Sequence, residues 1–196
     1  IKAVKLNVSK PFNWASGIIS PIYCDNRVTL SYPRVRTFIR QEFVKIIQEE
    51  FSSIDVIAGV ATGGIAQGAL VAQELDLPFV YVRTSKKDHG MENQIEGLVQ
   101  AGDEVLVIED LVSTGGSSLS AVAALKSAGC NIKGMLAIFS YQLDVAIESF
   151  KKENCLLYTL SDYPTLLKAA LESNYVREKD LDTLHEWRRD PQGWKP

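Results

Sequence analysis

Residues 107–118 read VIEDLVSTGGSS, and this stretch decides how the rest of the chain is interpreted. The segment Glu104–Ile108 predicts a buried strand, which leads directly into two adjacent acids, Glu109 and Asp110. A turn rich in hydroxyls and glycines follows, and the alanine-rich segment Ser117–Ala128 predicts a helix stopped by a glycine. A strand that enters a helix through a glycine turn is typical of α/β proteins.

The same alternation continues on both sides of this stretch. A proline at position 33 suits the first turn of a helix, and apolar residues recur at helical spacing as far as Phe51. The other predicted strands are residues 54–60, 79–83, 133–139 and 155–160, and the other predicted helices are residues 65–75 and 144–153. Nearly continuous apolar strands separated by helices predict the α/β class, a doubly wound parallel sheet with helices on both faces.

The two ends of the chain differ from this middle part. Residues 1–30 have no sustained hydrophobic period, and residues 168–196 are polar and helical in pattern. We therefore expect an α/β core at residues 31–167, with residues 1–30 and 168–196 packed together as a small cap, or hood, over one edge of the sheet. Because residue 1 is an isoleucine, we also expect that residues precede it in the natural chain.

Composition excludes several kinds of protein. A chain of 196 residues with 46% hydrophobic and 23% charged residues suits one globular domain. The net charge of -3 argues against sequence-independent nucleic-acid binding, and no apolar run reaches the ~20 residues that span a bilayer. Three cysteines without metal-ligand spacing favour reduced, partly buried thiols in a cytoplasmic protein. We expect no nucleic-acid or membrane partner.

Ligands of open α/β sheets bind beyond the carboxyl ends of the strands, where the turn after Asp110 lies. Backbone N–H groups of such a turn can cradle a phosphate with help from the helix dipole, and the residues concerned are Ser113, Thr114, Gly115, Gly116 and Ser117. The two acids would repel that phosphate, so they serve another part of the ligand, such as ribose hydroxyls. The alternative is a plain strand–turn–helix in which Ser117 caps the helix, but this leaves the paired acids unexplained.

At these residues the chain resembles the signature of the type I phosphoribosyltransferases, which bind phosphoribosyl pyrophosphate (PRPP). The resemblance implies that Glu109 and Asp110 bind the ribose hydroxyls, with Asp110 also catalytic, and that the turn of residues 113–117 binds the 5-phosphate. Residues 61–65 read ATGGI, a glycine turn that is weak by itself but is similar to the pyrophosphate loop of the same family. This similarity adds Thr62 and Gly63 to the implied PRPP ligands.

A polar, cationic segment begins at Arg83 and runs to residue 97. It resembles the catalytic loop of the orotate phosphoribosyltransferases, and this implies that Arg83, Lys87 and His89 stabilise the leaving pyrophosphate, with Lys86 adding charge. The family also implies Mg²⁺, held mainly by PRPP rather than by a protein metal site, and a homodimer in which this loop reaches the neighbouring subunit's site. The alternative is an ordinary solvated surface loop.

Residues 12–27 resemble the amino-terminal segment that contacts the base in the same family. The resemblance implies base contacts from Ser16, Gly17 and the amides around Tyr23 and Cys24, with the Tyr23 ring stacking on the base. The alternative is an ordinary β-hairpin in the cap. Members often place a lysine where this chain has Ala15, basic residues where it has Ile18 and Ile19, and an arginine for the orotate carboxylate within the stretch that here reads Ser140-Tyr141-Gln142.

The activity implied by these resemblances is that of a pentosyltransferase. It converts orotate and PRPP to orotidine 5′-monophosphate and pyrophosphate, a step of UMP biosynthesis. Two alternatives stay open on the sequence: a phosphoribosyltransferase for another base, and a PRPP-sensing regulator on the same fold.

Overall fold

The computed structural model describes residues 1–14, 16–83 and 94–196, and a six-stranded sheet runs through them. The strands are β1 (Val4–Leu6), β2 (Phe12–Asn13), β3 (Ile19–Ser20), β4 (Ile22–Cys24), β5 (Val56–Val60), β6 (Phe79–Val82), β7 (Ile95–Glu96), β8 (Glu104–Val112), β9 (Asn131–Ser140) and β10 (Leu157–Asp162). The α-helices are α1 (Pro33–Glu50), α2 (Gly63–Leu75), α3 (Gly116–Ser127), α4 (Asp144–Lys152), α5 (Tyr163–Glu172) and α6 (Leu181–Arg189), with 3-10 helices at Asn26–Ser31 and Glu178–Asp180.

The strand order of the large sheet is β10-β9-β8-β5-β6-β7. All neighbours pair in parallel except β7, which pairs antiparallel with β6 at the edge. One face packs against α3 and α4, where Val122 and Phe150 contribute to the core, and the other face packs against α1 and α2, where Phe43 and Val71 do so. The predicted doubly wound α/β class is confirmed.

Several predicted boundaries differ from the structure. Strand β8 runs to Val112 rather than ending at Ile108, because β9 also continues and pairs Leu111 with Phe139. The paired acids therefore lie on a strand and not in the turn after it. Helix α2 begins two residues earlier than predicted, at Gly63, and β10 begins two residues later, at Leu157. Phe38, part of the predicted apolar stripe of α1, is 59% exposed and does not join the core.

The two ends of the chain pack against each other. Trp187 of α6 is fully buried, and its indole Nε1 donates a hydrogen bond to the carbonyl oxygen of Ile19 at 3.0 Å. The Trp14 ring meets the Trp187 ring edge-on, with 5.5 Å between centroids. We use hood for residues 1–30 and 168–196; the division at residues 30 and 167 stays a prediction. Within the described ranges, no helix has both the length and the apolar character needed to cross a bilayer.

Candidate active site

Glu109 lies near the carboxyl end of β8 and is only 4% exposed. Its Oε2 accepts a hydrogen bond from the Ser118 hydroxyl at 2.8 Å, and its Oε1 accepts one from the Asp110 amide at 2.9 Å. Burial, and then the neighbouring Asp110 carboxylate, raise the pKa of Glu109 well above its usual range. Each oxygen thus has one donor within the protein, and Glu109 is suited to holding the strand end and helix α3 together.

Asp110 is partly exposed and is the point at which three sequence segments meet. A Cβ placed on Gly63 would overlap the Asp110 carboxylate, so the glycine turn after β5 lies directly against it. The Asp110 carbonyl oxygen accepts a hydrogen bond of 2.6 Å from Nδ2 of Asn26, a buried residue. Asn26 in turn accepts a contact of 3.3 Å from the Cys24 thiol through its Oδ1. The structure therefore joins the acid pair, Glu109 and Asp110, to the first glycine turn (residues 61–65) and to the base segment (residues 12–27).

The turn after β8 presents the amino end of helix α3. The residue that caps the helix is Gly115, with a left-handed φ of 84°, and a Cβ there would lie 3.1 Å from the Phe150 ring. Within the described residues, the backbone N–H groups of residues 113–117 have no protein acceptor. Ser117 is therefore not the capping residue, and the turn has unpaired donors at the positive end of a helix dipole, as an anion site requires.

The first glycine turn packs against β8 as closely as a backbone can. A Cβ on Gly64 would meet the carbonyl oxygen of Ile108, so no larger residue fits without moving the strand. Thr62 is exposed just ahead of α2, and the Ala61–Thr62 peptide bond is cis. The turn is fixed to the next strand by a hydrogen bond of 2.8 Å from the Ala61 amide to the Val82 carbonyl oxygen. Thr62 and Arg83 therefore follow the carboxyl ends of two neighbouring parallel strands, β5 and β6.

Arg83 begins the cationic segment, and the structure fixes both ends of that segment. The Arg83 amide donates to the Gln94 carbonyl oxygen at 2.9 Å, and Nη1 of Arg83 lies 3.6 Å from Oε1 of Glu96. Strand β7, which the sequence did not predict, pairs with β6 and so places the two described ends of the segment, Arg83 and Gln94, next to each other. Lys86, Lys87 and His89 lie outside the described residues.

The base segment forms two short hairpin pairings in the hood, β2 with β3 and β4 with β1. Ser16 and Gly17 are exposed in the β2–β3 turn, and among the described hydrogen bonds none links this turn to the acid pair. The Tyr23 ring is half-buried against Phe12, with centroids 5.7 Å apart. Cys24 is buried; burial and then Asp110 raise the pKa of its thiol to about 12. The structure thus links Cys24 to the acid pair through Asn26, whereas no hydrogen bond among the described residues makes such a link for Ser16 or Gly17.

Three residues of this region were not found from the sequence: Asn26, Ser118 and Arg188. Asn26 and Ser118 act through partners, Asp110 and Glu109, and neither has a spacing pattern that predicts the contact. Arg188 of α6 donates from Nε to the Tyr141 carbonyl oxygen at 3.3 Å and from Nη2 to the Gln142 carbonyl oxygen at 3.0 Å. Its position beside the end of β9 depends on how the hood folds back onto the core.

Comparisons with known proteins agree with this geometry. The family described as phosphoribosyl transferase domain matches residues 33–148. An orotate phosphoribosyltransferase of Phocaeicola vulgatus is 55% identical over 195 residues, covering 100% of this chain and 92% of the relative, and one of Listeria innocua is 52% identical over 194 residues, covering 99% and 93%.

The solved structure of orotate phosphoribosyltransferase from Aeropyrum pernix superimposes with a TM-score of 0.76 at 26% identity, covering 89% of this chain and 94% of the other. Its fold agrees with the parallel sheet described above, and its name agrees with those of the relatives found by sequence. The resemblance inferred from the sequence is therefore confirmed: this chain belongs to the phosphoribosyl transferase family, among the orotate phosphoribosyltransferases.

Proposed function

We propose that the chain transfers the phosphoribosyl group of PRPP to orotate, releasing pyrophosphate and forming orotidine 5′-monophosphate, in the cytoplasmic synthesis of UMP. The observation that carries the proposal is the position of Asp110. Its carboxylate lies against the glycine turn of residues 61–65, and its strand leads into the turn of residues 113–117. Its backbone carbonyl oxygen accepts a hydrogen bond from Asn26 of the base segment. The orotate phosphoribosyltransferase relatives, which match the whole chain, support the choice of base.

Each contact of PRPP follows from one of these segments. Unpaired N–H groups of the turn formed by Ser113, Thr114, Gly115, Gly116 and Ser117 bind the 5-phosphate. The partly exposed Asp110 carboxylate accepts hydrogen bonds from the ribose hydroxyls. The predicted second ribose ligand, Glu109, keeps the strand end in place and would bind ribose through its remaining acceptor positions. The amino end of α2, at Thr62 and Gly63, faces the pyrophosphate.

The reaction is a displacement at ribose C1. The bond from C1 to the pyrophosphate oxygen breaks, the bond from C1 to the orotate nitrogen forms, and the ribose passes through an oxocarbenium-like state. Arg83, with Lys86, Lys87 and His89, stabilises the charge that develops on the pyrophosphate. As the nitrogen attacks, its proton passes to water or to the departing pyrophosphate, so positioning and charge stabilisation carry most of the catalysis.

Magnesium fits this arrangement as a companion of PRPP. Among the described residues, no three His, Cys, Asp or Glu side chains gather to hold a metal, whereas the Asp110 carboxylate offers hard oxygen donors beside the ribose site. Bound Mg²⁺ would supply positive charge to the pyrophosphate and ribose oxygens.

We further propose that Ser16, Gly17, Tyr23 and Cys24 form the base side of the site, and that the enzyme is a homodimer. The cationic segment of each subunit would complete the neighbour's site, and neither nucleic acid nor membrane would be a partner. The pairing of β6 with β7 supports only the role of the cationic segment, since it holds both ends of that segment beside the strand that precedes it.

The decisive experiment is an absorbance assay with PRPP, Mg²⁺ and one of four bases: orotate, uracil, adenine or hypoxanthine. We expect loss of orotate that requires both PRPP and Mg²⁺. Lys87→Ala should lower turnover by orders of magnitude. The control is Lys168→Ala, which makes the same charge change at an exposed position of α5 and should leave turnover unchanged. Turnover of another base in place of orotate would overturn the substrate assignment, and a fully active Lys87→Ala variant would overturn the role of the cationic segment.

A further inference from the structure

The carboxylate of orotate carries a negative charge that the base side of the site must neutralise. Arg27, the arginine within the base segment, is not available to bind this carboxylate. Its Nε and Nη2 bind the two carboxylate oxygens of Asp25 at 2.7 and 3.0 Å, and its side chain is 57% exposed. A cation from another part of the fold is required, as a buried or half-buried anion without a partner is strongly disfavoured.

Arg188 is brought to the base segment by helix α6. The preceding residue, Trp187, is fully buried, and its indole donates a hydrogen bond to the carbonyl oxygen of Ile19, two residues after Gly17 of the base segment. Leu184, one turn earlier, is also fully buried. These contacts fix the end of α6 on the hairpin, so packing within the hood determines where the Arg188 side chain lies.

The Arg188 guanidinium is oriented but not neutralised. Two of its donors bind the carbonyl oxygens of Tyr141 and Gln142, just beyond the end of β9. Since a guanidinium has five N–H donors, three remain, and within the described residues no carboxylate lies at ion-pair distance from it. A half-buried arginine that is anchored on one side and unpaired on the other is prepared for an anion.

Arg188 lines a cavity between the hood and the core. The cavity has a volume of about 220 Å³ and is lined by Arg188, by Ile18 of the base segment and by Thr114 of the phosphate turn, among others. It therefore adjoins both ends of the expected nucleotide. Asp144 and Asp190 also line it, but neither forms an ion pair with Arg188.

We propose that Arg188 binds the carboxylate of orotate, and of the product nucleotide, and that α6 thereby determines selection of an acidic base. This inference rests on the proposed function. Arg188 would replace the arginine expected within the stretch Ser140-Tyr141-Gln142. There the Tyr141 ring is buried among Trp14, Phe139 and Trp187, and its carbonyl oxygen orients Arg188.

The test compares two product nucleotides that differ only in the carboxylate. Orotidine 5′-monophosphate carries it and uridine 5′-monophosphate lacks it, whereas both carry the same 5′-phosphate. Their dissociation constants would be measured by calorimetry for wild type, Arg188→Gln and Arg188→Lys, with Arg34→Gln as the matched control. Arg34 is an exposed arginine of α1 that does not line this cavity, and its replacement changes the net charge equally.

We expect Arg188→Gln to weaken binding of the orotidine nucleotide about 10- to 100-fold and to leave binding of the uridine nucleotide unchanged, with Arg34→Gln like wild type. Equal weakening of both nucleotides would assign Arg188 to the phosphate or to folding and overturn the proposal, as would no weakening of either. If Arg188→Gln does not fold, Arg188→Lys decides by the same comparison, since it keeps the charge and loses the two-pronged geometry. Wild type that binds both nucleotides equally would instead refute the proposed substrate.

Discussion

The two adjacent glycines that open helix α2 should respond to alanine in opposite ways. A Cβ on Gly63 meets the carboxylate of Asp110, which is the end of a partly exposed side chain and can rotate away. A Cβ on Gly64 meets the carbonyl oxygen of Ile108, which belongs to the backbone of a buried strand and cannot. We therefore expect Gly63→Ala to impair activity with little effect on stability, and Gly64→Ala to destabilise the fold.

The magnitudes follow from these neighbours. In Gly63→Ala, the helix gains roughly 0.5–1 kcal/mol from alanine, which offsets the cost of rotating Asp110, so the free energy of unfolding changes by no more than about 1 kcal/mol. Displacing the carboxylate loses a charged hydrogen bond to ribose worth about 1.5–3 kcal/mol, or roughly 10- to 150-fold in kcat/KM. In Gly64→Ala, overpacking against the strand costs about 1–3 kcal/mol of stability.

Urea denaturation and steady-state kinetics on the two variants test this pair of expectations. A third measurement places Gly63→Ala in an Asp110→Ala background, where the obstructing carboxylate is gone and the glycine change should cost no further activity. The reasoning is refuted if Gly63→Ala keeps wild-type kcat/KM, or if it destabilises the protein as much as Gly64→Ala does. It is also refuted if the two changes prove additive.

Two further predictions concern the acid pair and the cationic segment. The pKa of Glu109 is raised in the fold, so between about 4.3, the unfolded value, and its raised value the native state holds a proton that the unfolded state has released, and stability falls as pH rises through that window. Glu109→Gln should flatten this dependence in urea titrations across pH, and an unchanged slope would contradict it. Mixing inactive Lys87→Ala and Asp110→Ala subunits should restore about a quarter of wild-type activity if the segment serves the neighbouring subunit, because half of the dimers are mixed and each has one intact site. No recovery after subunit exchange would place the segment in its own subunit's site.

Local patterns were enough to predict the α/β class and most elements of the core. The apolar segment ahead of Glu109 and the proline of α1 carry signals within a few residues. The end of β8 could not be predicted from such signals, since its last four residues are held by pairing with β9, a strand that follows about twenty residues later. Strand β7 was missed for the same reason, because two residues form a strand only when β6 lies alongside.

The same difference between local and long-range signals applies to the candidate site. The paired acids and the glycine turns were visible as composition at the ends of strands. Their contact was not, because nothing around Gly63 indicates that the Asp110 carboxylate will lie against it. Arg188 lies near the end of a polar, amphipathic helix, where arginine is ordinary, and only the burial of Trp187 reveals which surface it faces.

The hydrogen bond between Trp187 and Ile19 joins residues 168 positions apart, and it affects the order in which the site can mature on the ribosome. At roughly 5–20 residues per second, the phosphate turn leaves the peptidyl-transferase centre roughly 3–14 seconds before Trp187 is added. During that interval the amino-terminal hairpin has no α6 to close it. A nascent chain thus acquires the means to hold a sugar phosphate before it acquires the means to select a base, and ribosome-stalled chains ending before α6 offer a view of that half-built stage.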